Sequence, residues 1–135
     1  MKSGSCMCGA VRFTVSCELK PPDACHCVQC RKFSGHYFVG TDVPREAVEV
    51  LGMENVTWYH SSARVRRGFC ARCGSSLFFD PPAKDWIGIS MGAFDGTTGT
   101  HTELHIFVAE KGDYYELCDG LPQYQTVPGV GTGTA

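Results

Sequence analysis

Nine cysteines in a chain of 135 residues constrain the fold more than any other feature. Seven of them stand in tight groups: Cys6 and Cys8, then Cys25, Cys27 and Cys30, then Cys70 and Cys73. Clustering of this density signals either a disulfide framework or a metal site. Thiols two or three positions apart on a tight turn can aim their sulfurs at one point, which metal coordination needs and separate disulfides do not. The odd count and the lack of a signal-peptide core weigh the same way, since disulfides belong to exported chains. The expectation is a small cytoplasmic zinc protein whose clustered cysteines are thiolates.

A chain of this length suits one domain with one core, and 43% hydrophobic with 19% charged residues is ordinary for a globular protein. The formal charge is −2. Seven thiolates and two zinc ions move the total to about −5, a poor match for nucleic acid or an anionic membrane. No apolar run approaches the roughly 18 residues of a membrane span. Neither nucleic acid nor membrane is therefore expected as a partner.

Short β-type runs dominate the chain. Val11 to Val15, His36 to Val39, Val56 to Tyr59, Val65 to Phe69, Leu77 to Phe79, Trp86 to Met91 and Leu104 to Val108 are rich in β-branched and aromatic residues. Pro21-Pro22, Ser34-Gly35, Pro81-Pro82, Asp95-Gly96 and Lys111-Gly112-Asp113 separate them as turns. Only Pro44 to Leu51 has a helix-start pattern, with Asp42 upstream as a cap, and it reads as one or two turns at most. The spacing predicts one mainly β zinc-binding domain over residues 1–125, held by metal as much as by its core, and a flexible C-terminal tail over 126–135.

Cys70-Ala71-Arg72-Cys73-Gly74 has the form of a zinc knuckle, and Cys6-Met7-Cys8-Gly9 offers a second pair. In each, the glycine after the second cysteine permits the positive φ such turns need. Together they make a closed four-cysteine site, structural by its coordination. Cys25-His26-Cys27-Val28-Gln29-Cys30 supplies three ligands, and three ligands with an open fourth position mark a catalytic or substrate-binding zinc. Two other partitions stand beside this one. Cys25 and Cys30 can join Cys70 and Cys73 in a single site, or a remote side chain (His36, His60, His101, His105, Cys17 or Cys118) can close the fourth position. Arg31, Lys32 and the backbone of Ser34-Gly35 suit an anionic thiol ligand, against a reading of Arg31 and Lys32 as a solvated pair. His26 is a candidate proton-transfer group, against a reading in which it faces solvent. Arg64, Arg66 and Arg67 read as exposed surface, and Cys17 and Cys118 as core cysteines without a metal.

The motifs in their order resemble those of the glutathione-dependent formaldehyde-activating enzyme family, which includes the centromere protein V type. The matching stretches are Gly4-Ser5-Cys6-Met7-Cys8-Gly9-Ala10-Val11, Cys25-His26-Cys27-Val28-Gln29-Cys30-Arg31-Lys32, Gly68-Phe69-Cys70-Ala71-Arg72-Cys73-Gly74-Ser75, His105-Ile106-Phe107-Val108 and Asp119-Gly120-Leu121-Pro122. The resemblance implies a β-tent of small packed sheets. It implies a structural zinc on Cys6, Cys8, Cys70 and Cys73, and a catalytic zinc on Cys25, Cys27 and Cys30. It also implies carbon–sulfur lyase chemistry of the S-(hydroxymethyl)glutathione synthase type.

The function expected is activation of a thiol, glutathione or a relative, for reversible addition to a small aldehyde. A thiol that coordinates zinc loses its proton, so the barrier set by a free thiol's pKa of about 8.5 disappears. The alternative is a zinc-stabilised protein-binding module without turnover, and redox sensing by Cys25, Cys27 and Cys30 is a third reading.

Overall fold

The computed structural model describes residues 1–129 and is mainly β, with small sheets and one α-helix among the described residues. Of the stretch expected as a tail, Thr126 accepts a hydrogen bond from the Phe107 N–H, and residues 130–135 lie outside the described residues. The strands are β1 (Lys2–Ser5), β2 (Arg12–Val15), β3 (Asp23–Cys25), β4 (Phe38–Pro44), β5 (Val48–Leu51), β6 (Val56–His60), β7 (Arg66–Cys70), β8 (Ser76–Asp80), β9 (Trp86–Ser90) and β10 (Leu104–Ile106). The helix, α1, spans Val28–Ser34. The chain divides into two units: Met1–Lys20 with Gly40–Thr100, and Pro21–Val39 with the described residues from His101 on.

In the first unit, β1, β2 and β5 form an antiparallel sheet in that order. A second antiparallel run follows the order β4-β9-β8-β7-β6, with residues 40–44 of β4 making the pairing to β9. Alternation sends Phe13 and Val15 inward, where they join Val11, Leu77, Phe78 and Ile89 in one apolar cluster. Phe13 meets Phe78 and Phe94 edge-on, at centroid distances of 6.2 and 5.2 Å. A bulge between Gly68 and Phe69 shifts the β7–β8 register just before Cys70, where the strand must turn its last side chain toward the first cysteine cluster.

The second unit has little apolar core. Its buried side chains include Ala24, His26, Cys30, Phe38 and His105, of which two are imidazoles. Strands β3 and β10 pair in parallel with Ala24 opposite His105. Helix α1 starts at Cys27, whose Sγ accepts the Cys30 N–H at 3.3 Å, and stops at Gly35, which adopts φ 89° and donates its N–H to the Arg31 carbonyl.

Three expectations need correcting. The short helical start at residues 44–51 is limited to one 3-10 turn, Arg45–Ala47, without a cap from Asp42, and Val48–Leu51 pairs with β2 instead. The alternation of Val48 and Val50, opposite Val15 and Phe13, outweighs the local start signal. The arginines are not all surface. Arg67 is 4% exposed, and Arg66 lies 3.9 Å over the Trp58 ring while its Nε donates to Asp80 Oδ2 at 2.7 Å. Only Arg64 is exposed. Cys118 is exposed as well, whereas Cys17 packs against the core as expected.

Asp80 is 1% exposed and also accepts from Arg45 Nη2 at 2.5 Å. Asp80→Ala removes the carboxylate shared by two guanidinium groups, each about a third exposed and able to rehydrate, while Arg45 keeps its bonds to the Lys84 and Pro81 carbonyls. The expected loss is therefore about 2 kcal/mol, below that of a fully buried pair, and a urea melt measures it. Among the described residues no helix is long and apolar enough to cross a membrane.

Candidate metal centres

The first centre is built by two turns of the first unit. Cys6 and Cys8 lie in the loop after β1; Cys70 ends β7 and Cys73 sits in the turn before β8. Their sulfurs all lie within 4.8 Å of one another, with Cys6–Cys8 at 3.6 Å and Cys8–Cys70 at 3.8 Å. A tetrahedral ion with metal–sulfur bonds of about 2.3 Å requires sulfurs about 3.8 Å apart, so the four fit such an ion. Gly9 and Gly74, one after each pair, adopt φ 80° and 78°, as both knuckles require.

Backbone donors serve these sulfurs. The Val11 N–H points to Cys6 Sγ at 3.3 Å and the Arg72 N–H to Cys70 Sγ at 3.4 Å. The Ser75 hydroxyl lies 3.2 Å from Cys73 Sγ, and its oxygen accepts the Met7 N–H at 2.9 Å, which ties the two turns together. Hydrogen bonds from the Ser75 side chain, then its backbone, pull the Cys73 thiol down to about 5. That sulfur is prepared to be a thiolate ligand.

The second centre belongs to the second unit. Cys25 ends β3, Cys27 caps α1, and Cys30 lies buried in the first turn of α1. Their sulfurs also lie within 4.8 Å of one another, and among the described residues no fourth His, Cys, Asp or Glu joins this cluster. The Cys27 and then the Cys30 sulfur push the Cys25 thiol far up, because three sulfurs this close cannot all be anionic without a cation between them. Each unit thus gathers its own cysteines, four in the first and three in the second.

The neighbours named from the sequence fall in different places. Arg31 donates from Nη1 to the Glu110 carbonyl at 2.9 Å, while its buried Nε has no hydrogen-bond partner. Lys32 is exposed. Ser34 spends its hydroxyl on the Cys30 carbonyl at 2.8 Å and so closes the helix. Glu110 Oε1 accepts the Val28 N–H at 3.0 Å at the other end.

His26 does not face solvent; it is 0% exposed. Its Nδ1 bonds the Tyr115 hydroxyl, and its Nε2 lies 2.9 Å from His105 Nδ1. His105 Nε2 in turn meets Asp119 Oδ2 at 2.8 Å, so both nitrogens of His105 are taken and it is not the missing ligand. Burial first, then the charges of His105 and Lys111, push His26 down to about 4, so its ring is neutral. His105 and Asp119 stood in motifs of the sequence, but Tyr115 carried no signal, because its partner lies 89 residues away.

Residues 1–110 match the family model described as glutathione-dependent formaldehyde-activating enzyme. A Halomonas elongata protein whose name assigns it to glutathione-dependent formaldehyde activation is 32% identical, covering 84% of this chain and 79% of its own. A Schizosaccharomyces pombe protein named an uncharacterized lyase is 27% identical over 86% of this chain and 85% of its own. A crystal structure of a Rhodobacter sphaeroides protein superposes with a TM-score of 0.60 at 25% identity, covering 72% of this chain and 91% of that one.

Proposed function

This chain belongs to the glutathione-dependent formaldehyde-activating enzyme family, and we propose that it is a zinc-dependent carbon–sulfur lyase acting on a thiol and a small aldehyde. The observation that carries the reading is the unequal ligand count: four sulfurs converge in one centre and three in the other. Four thiolates complete a tetrahedron and serve the fold, whereas three leave one position for a substrate.

Zinc bound at Cys25, Cys27 and Cys30 supplies the positive charge that holds a substrate thiol as its thiolate at neutral pH. The chain's part is to offer three sulfurs on a short, doubly capped helix and to keep that geometry before substrate arrives. The substrate sulfur forms a bond to the aldehyde carbon, the carbonyl electron pair moves to oxygen, and the proton given up by the thiol ends on that oxygen. Reversal breaks the same carbon–sulfur bond. Glutathione is the first candidate thiol, with Arg31 and Lys32 as partners for its carboxylates. A cytoplasmic setting belongs to this reading, since thiolate ligands need reducing surroundings.

Metal analysis of freshly purified protein is expected to give two zinc ions per chain, with seven cysteines protected from alkylation. One ion per chain contradicts the two-centre account. The activity itself is tested with carbon-13 formaldehyde and glutathione: the protein should accelerate their interconversion with S-(hydroxymethyl)glutathione above the uncatalysed rate. No acceleration at any protein concentration sinks the enzymatic reading and favours a protein-binding module.

A further inference from the structure

The proposed thiol chemistry leaves unused the chain of four side chains that begins at Tyr115 and ends at Asp119. Each of its links is a hydrogen bond. An ionised carboxylate only accepts. The Asp119 carboxyl is held below the usual carboxylate range, first by its bond from His105, so His105 Nε2 carries the proton between them. His105 Nδ1 lies 2.9 Å from His26 Nε2, and His26 Nδ1 bonds the Tyr115 hydroxyl. One exposed carboxylate thereby anchors two buried rings in sequence.

We propose, resting on the zinc reading of the Cys25, Cys27 and Cys30 centre, that Asp119 and His105 are positioning residues for it. They fix the ring of His26, and with it the backbone that presents Cys25 and Cys27.

His26 is held at three points: both ring nitrogens, and its N–H, which donates to the Ile106 carbonyl at 3.0 Å. It stands between two of the three ligands, so a ring that cannot turn fixes the directions in which its neighbours' sulfurs project. His105 is a firm anchor. β10 pairs with β3 on one side, and on the other the His105 N–H donates to Pro122 while its carbonyl accepts from Tyr124. The ring of His26 also packs against Tyr37, at a centroid distance of 4.7 Å, so stacking and hydrogen bonds hold it together. Buried polar chains of this kind hold one arrangement only while every member is satisfied. Without the carboxylate His105 Nε2 loses its partner, and the ring that His26 Nε2 bonds is free to turn.

Asp119 lies on the surface, so Asp119→Ala tests the device without opening the core. The full zinc-loaded chain is challenged with excess chelator, and release is followed from both centres. The Cys6, Cys8, Cys70 and Cys73 centre serves as an internal reference. Outer-shell groups commonly change metal affinity by 10- to 100-fold, and at the far end of the chain the low end applies. Release from the second centre should therefore quicken about tenfold, with the first centre and the melting temperature unchanged. Long-range proton–nitrogen spectra should show the His26 ring nitrogens moving away from their wild-type shifts. Asp119→Asn keeps an acceptor oxygen and should restore most of both properties.

Wild-type release from Asp119→Ala, equal quickening at both centres, or unchanged His26 ring-nitrogen shifts overturns the proposal. Neither readout uses a thiol or an aldehyde, so failure of the activity leaves this test intact. A wild-type chain holding one zinc overturns the parent reading, whereas two zincs with unaltered release overturn only this one.

Discussion

Cys73→Ser is expected to leave a chain without a cooperative unfolding transition. A structural zinc supplies on the order of 10 kcal/mol or more in small metal domains. Whole domains are stable by only about 5–15 kcal/mol, so this one centre carries a share the rest cannot replace. Cys73 is the ligand best prepared for the task, because Ser75 donates to it while accepting from Met7 in the opposite turn. A serine oxygen there is a poor ligand for zinc beside three thiolates, and the Cys6–Cys8 turn loses its attachment to the β7–β8 turn. Circular dichroism melts with zinc analysis measure the result. A variant that melts cooperatively near the wild-type temperature, with one zinc fewer, contradicts a structural role for this centre.

Cys27→Ser should behave in the opposite way. Cys27 caps α1 through its sulfur, and serine is among the best N-caps, so the substitution keeps the cap while removing a ligand. The protein should fold with one zinc, retained at the first centre. Metal activation supplies several kcal/mol, so the expected loss of activity is about a thousandfold. Equal loss of folding in the two variants would mean that both centres are structural. The pair of substitutions therefore separates an enzyme from a metal-stabilised module more sharply than either does alone.

Much of this was written in local sequence. Strands β6, β7, β8 and β9 coincide with runs of β-branched and aromatic residues bounded by proline and glycine turns, because each buries alternate side chains. The division of seven cysteines into four and three was legible by ligand counting, since sulfurs two and three positions apart share a turn. Other features depend on partners far along the chain. Lys2–Ser5 carries no apolar residue to mark it as a strand, and it forms one only because β2 offers a ladder. Helix α1 was hidden inside the spacing of its own ligands, where Ser34-Gly35 read as a simple turn. The burial of His26 depends on Tyr115 and His105, 89 and 79 residues away, and neither spacing leaves a trace near position 26. The same holds for Arg66 and Arg67, whose charges are absorbed by Asp80 and by the Trp58 and Phe79 rings.

Calorimetry of glutathione against S-methylglutathione, in buffers of different ionisation enthalpy, tests the central claim that a substrate thiol enters the fourth position of the Cys25, Cys27 and Cys30 centre. Methylation keeps every carboxylate and amide but leaves only a thioether, which has no proton to release. Glutathione should bind far more tightly and should release a proton on binding. Because the thiolate is the bound form, its affinity should rise with pH up to the thiol's own pKa, about 8.5–9, and level off above it. Equal affinity for the two compounds, with no proton released and no dependence on pH, would place the ligand away from the metal and contradict the account.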